Sequence, residues 1–60
     1  MRDSDAVIEA RYVGNTTDEL KAMRHTLKMA NRATRKASGD VSVEDRELLT
    51  EYTVAVRLRS

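Results

Sequence analysis

Residues 16–39 read TTDELKAMRHTLKMANRATRKASG, and this stretch decides the fold. Thr16 followed three residues later by Glu19 is a capping box. The threonine hydroxyl accepts from the Glu19 amide, and the glutamate reaches back to the Thr16 N–H. Asp18 and Glu19 suit the positive start of a helix, and Arg35 and Lys36 suit its negative end. Gly39 is a natural stop, because it can take the left-handed conformation that closes a helix. The predicted helix therefore runs from Thr17 to about Ser38. Absence of Pro and only two Gly in the whole chain fit a helical protein.

Charge on this helix is segregated by face. At 100° per residue Lys21, Arg24, Lys28, Arg32, Arg35 and Lys36 fall within about a third of the circumference. His25 shares that sector. The opposite arc carries Leu20, Met23, Leu27, Ala30, Thr34 and Ala37. One face is built to pack, and the other to meet negative charge. Three readings of the cationic face stand side by side. It is solvated and partly paired with this protein's own carboxylates. It binds phosphate, as nucleic acid or nucleotide. Or it docks on an acidic protein surface.

A second helix follows at once. Ser42, with Asp45 three residues on, caps it, and Glu44 and Asp45 load its first turn. Only residues 40–41 lie between Gly39 and this cap, so the two helices are expected to form an antiparallel hairpin. Leu48, Leu49, Tyr52, Ala55 and Val56 share one face and are expected to pack on the Leu20/Met23/Leu27/Ala30 stripe. Val54 and Leu58 project elsewhere, beside Glu47 and Glu51, as a second apolar strip suited to a neighbouring subunit. Residues 53–59 also alternate in part with period two, so a strand competes with helix there.

Residues 1–15 form an N-terminal arm whose character the pattern leaves open. Asp5 to Val13 fits a short helix capped by Asp3 or Ser4, ended by Gly14-Asn15. It fits a strand equally well, since periodicity over so few residues does not decide. In the strand form, Val7-Ile8-Glu9-Ala10-Arg11-Tyr12-Val13 followed by two helices resembles the ribbon-helix-helix family. That resemblance implies an intertwined dimer with Glu9 and Arg11 presented to DNA bases. The central helix is longer than that family's.

Sixty residues make one domain, divided as an arm (1–15), a basic helix (16–39) and an acidic-to-basic helix (42–59). So short a chain buries a modest share of its surface. It has no Cys for disulfides. Self-association is the expected remedy. Net charge is +1, yet its distribution is uneven, with an acidic stripe Glu44/Glu47/Glu51 after the basic helix. No apolar run reaches the ~20 residues of a membrane span, and the acidic start does not suit a secretory signal. The chain reads as a cytoplasmic protein.

Catalysis lacks its parts. There is no Cys nucleophile, no identifiable Ser/Thr–base pair and no Gly-rich phosphate loop. His25 between Lys21 and Lys28 is poorly placed for a metal, whose ligands must be deprotonated and convergent. Glu47 and Glu51 lie one turn apart without a second ligand cluster. Neither a metal nor a cofactor is expected. The predicted class is thus an all-α helical hairpin with a short N-terminal segment, forming a homo-oligomer. Its expected role is non-enzymatic: a small regulatory or inhibitory interaction protein of the kind phages and mobile elements encode. Arg24, Lys28, Arg32 and Arg35 are the candidate partner-binding residues. Arg11 and Tyr12 are secondary candidates, as a pair able to clamp a planar or phosphorylated ligand. An acidic protein is the expected partner. A DNA-binding dimer and sequestration of a nucleotide-like ligand are the alternatives.

Overall fold

A computed structural model describes residues 4–59 as three helices: α1 (Asp5–Arg11), α2 (Thr17–Ser38) and α3 (Val43–Leu58). The protein is all-α, with no strand among the described residues. Residues 5–11 are therefore helical rather than extended, so the strand required by the ribbon-helix-helix resemblance is absent from this fold. Residues 53–58 are likewise helical, and the β-like alternation there does not form a strand. In both segments tertiary packing overrides a weak local preference.

The ends of the helices follow from their capping residues. Ser4 accepts a hydrogen bond from the Val7 amide at the start of α1. Asp3, the other candidate cap, lies outside the described residues. Both halves of the predicted capping box form at α2. The Thr16 amide donates to Glu19 Oε1 at 2.8 Å, and the Glu19 amide donates to Thr16 Oγ1 at 3.1 Å. Gly39 closes α2 with φ at 87°, its amide donating to the Arg35 carbonyl. Ser42 then caps α3 through the Asp45 amide at 3.2 Å.

α3 is the central element. It packs against α2 on one side and α1 on another, while α1 and α2 do not approach each other closely. The core is Ile8 and Tyr12 from the N-terminal segment, Leu20 from α2, and Val54, Ala55 and Val56 from α3. Three consecutive buried residues on one helix require cover from more than one direction, because successive side chains are 100° apart. α1 supplies that second cover. Val54 is thus buried by this chain itself rather than held out for a neighbouring subunit, and Leu58 remains 37% exposed.

The α2–α3 contact is offset from the predicted stripe. Leu20 and Asn31 are the buried residues of α2. Met23 and Leu27 are half-buried, and Ala30, Thr34 and Ala37 are exposed. Helix α2 has rolled so that its contact line runs closer to the basic sector, leaving the apolar flank partly bare. Arg24, at the edge of the contact, is half-buried as a result. An Asn inside an otherwise polar-looking register gave no sign in the sequence that it would be covered.

One end of the hairpin is locked by polar contacts. The Arg59 guanidinium donates to the carbonyl oxygens of Tyr12 and Asn15, closing the turn between α1 and α2. Tyr12 and Tyr52 meet edge to face with ring centroids 5.7 Å apart. Arg11 pairs with Glu51. Among the described residues, no helix is long and apolar enough to cross a membrane.

Candidate functional site

The two sides of the α2–α3 contact differ in chemistry. On one side Met23, Leu27 and Ala30 of α2 face Leu48 and Tyr52 of α3 across an apolar groove of about 410 Å³, with Ala22 and Thr26 completing its α2 wall. That fixes what lies on the other side. Going round α2 past the buried Leu20–Asn31 line, the next residues are Arg24, Arg35, Lys28, Lys21 and Arg32. Going round α3 away from Leu48 and Tyr52, the next beyond Val56 and Leu49 are Thr53, Arg46, Arg57 and Thr50.

A single cationic face thus spans both helices. Lys21, Lys28, Arg32 and Arg35 are exposed on α2, and Arg46 and Arg57 are exposed on α3. Thr50 and Thr53 between them turn their hydroxyls onto the carbonyls of Arg46 and Leu49, so they add no charge. Sequence reasoning found the α2 half and missed Arg46 and Arg57. Their membership depends on the rotation of α3, which several apolar strips on that helix left undetermined.

The acidic stripe does not border this face. Glu51 lies on the α1 side of α3, where it binds Arg11, and Glu44 and Glu47 fall in the same sector. None of Lys21, Arg24, Lys28, Arg32 and Arg35 makes an ion pair with a carboxylate among the described residues. Exposed His25 sits at the outer edge of the cationic sector, and Met29, 48% exposed, lies just beyond it.

Tyr12 has a different place. The residue is 9% exposed and belongs to the core, so it is not displayed on a ligand-facing surface. Burial pushes its phenol up to about 12, reinforced by a hydrogen bond to Glu51 and by that carboxylate's charge. Glu51, whose charge acts on the phenol, also receives Arg11. Arg11 and Tyr12 therefore meet, as their adjacency in sequence suggested, but around a carboxylate of this chain.

No three metal-binding side chains converge among the described residues. Comparison with protein-family models, with curated proteins and with solved structures finds no match for this chain.

Proposed function

We propose that the protein is a self-associating, non-enzymatic interaction module whose two-helix cationic face docks on an acidic protein surface. The observation that carries this reading is the unpaired state of the face. Among the described residues, Arg24, Lys28, Arg32 and Arg35 make no ion pair with a carboxylate. Holding like charges together without neutralising them costs stability, and a partner of opposite charge removes that cost and steers the encounter. Met29 at the rim favours protein over phosphate, because an adaptable apolar side chain beside cations finds a counterpart on a protein surface. Both tyrosines lie away from the face, so it carries no aromatic platform on which nucleic-acid bases stack.

Phosphate binding is the second reading, favoured by one observation: Glu44 and Glu47 project away from the cationic face and do not oppose a polyanion there. The two separate in titrations of a polyglutamate peptide and a short duplex DNA, each over a range of salt. The first reading expects binding to the peptide that is lost in the Lys28→Glu/Arg32→Glu variant. Tight DNA binding with a steep salt slope, and no peptide binding, would replace it with the second.

A further inference from the structure

We infer that the partner of the cationic face is a single acidic α-helix, seated lengthwise between α2 and α3 as a third helix of the bundle. This names the form of the partner in the function proposed above and rests on that reading. Three observations meet here.

The first is the spacing of the cations. Lys21, Arg24, Lys28, Arg32 and Arg35 follow one another at intervals of three or four residues. They make one ridge about 21 Å long, with a charge roughly every 5 Å. Carboxylates on one face of another helix repeat at the same intervals, so a helix laid alongside stays in step from end to end. An extended chain presents same-face side chains about 6.6–6.8 Å apart, and slips by half a spacing within two intervals.

The second is the opposite wall. Arg46, Thr50, Thr53 and Arg57 form a matching ridge on α3, at intervals of four, three and four. The arginines stand at its ends, about 16–17 Å apart. Between them Thr50 donates to the Arg46 carbonyl at 3.1 Å, and Thr53 donates to the Leu49 carbonyl at 2.9 Å. Short, uncharged and already hydrogen-bonded, they leave a low shelf that a helix backbone can approach. Cations thus line one wall and both ends of the other, over the length of about four helical turns.

The third sets aside this chain's own acidic row as the occupant. Glu44, Glu47 and Glu51 have the same spacing on α3. Glu51, however, is held by Arg11 at the end of α1, and α1 packs on α3. A second copy cannot offer that row unless its own α1 moves aside. The helix that fits is therefore a foreign one, with carboxylates along one face.

The test is titration of the full chain at low salt with three ligands of equal charge. They are a Glu/Ala helix with its glutamates on one face, the same composition with glutamates spread round the helix, and polyglutamate. Wild type should bind the one-faced helix roughly tenfold or more tighter than the other two. Thr50→Phe raises the shelf without changing charge, at an exposed position. It should remove that advantage and leave polyglutamate binding as in wild type. Arg46→Gln/Arg57→Gln probes the same wall by charge, and should weaken the one-faced helix more than the spread one. Circular dichroism of each variant should match wild type. Equal affinity for all three ligands keeps the acidic-surface reading and overturns the helix. Absence of binding to any of them overturns that reading, and the inference with it. A one-faced helix bound alike by wild type and both variants overturns its seat between α2 and α3. A wild type whose molar mass rises with concentration, and which Lys28→Glu/Arg32→Glu makes monomeric, puts a second copy there instead and overturns the foreign helix.

Discussion

The two ends of the hairpin are built differently. At the end that α1 closes, Ile8, Tyr12, Leu20, Val54, Ala55 and Val56 converge from three elements, and Ile8 and Leu20 are fully buried. Arg59 and Glu51 satisfy polar groups of the N-terminal segment there. At the other end only α2 and α3 remain, with Leu27, Leu48 and Leu49 half-buried and Val41 tucked under the connection. The difference teaches where stability and interaction reside. The closed end holds the fold. The open end exposes a long stretch of α2, where one side is cationic and the other is an apolar groove.

The sharpest way to break this comparison is to truncate a core side chain at each end. Leu20→Ala, at the closed end, should cost about 2–5 kcal/mol, which is a large share of the stability of any small domain. Leu48→Ala, at the half-buried groove, should cost less than Leu20→Ala, whose side chain is fully buried. Denaturant melts check both. Equal losses would erase the distinction.

Arg59→Ala should be the next largest. It deprives the Tyr12 and Asn15 carbonyls of a charged donor, at about 1.5–3 kcal/mol. Amide exchange should then rise first in α1 and in the turn that follows it. Thr16→Ala should cost about 1 kcal/mol by removing the α2 cap. Gly39→Ala should cost a similar amount, roughly 1 kcal/mol, through the left-handed backbone alone, because a Cβ there meets nothing within 4 Å.

A pH titration sharpens the account of the closed end. The Tyr12 phenol is raised from 10.0 to about 12 in the folded chain. A raised group contributes stability that is complete below its unfolded value and is lost as pH climbs through the folded one. Wild-type stability should therefore fall between pH 10 and about 12. In Tyr12→Phe the part of that fall owed to Tyr12 should vanish. Thermal melts across this range read the difference.

The sequence showed the local signals and left the rotations open. Thr16–Glu19, Gly39 and Ser42 mark helix ends through interactions within four residues, so they are legible one by one. Tyr12 is the counterexample: beside Arg11 it reads as a ligand contact, and only the packing of α1 on α3 places it in the core. The N-terminal segment itself is not legible, because seven residues carry too little periodicity, and contact with α3 makes it a helix. That uncertainty propagated. Without α1 in place, Val54 reads as a strip for another subunit, and the roll of α3 that brings Arg46 and Arg57 beside the basic residues of α2 is undetermined. The cationic sector of α2 needed only the helical repeat, and so it was visible from the start.

The central claim is that the open end of the hairpin offers its cationic face to an acidic partner without depending on that face to fold. Titration of a polyglutamate peptide into wild type and into Lys28→Glu/Arg32→Glu, with the melting temperature and molar mass of both recorded, tests it most directly. The account predicts a variant with wild-type mass, and a melting temperature equal to or above wild type because like-charge repulsion is relieved, that no longer binds the peptide. A variant that binds as before, or one that loses its assembly or its fold, would contradict it.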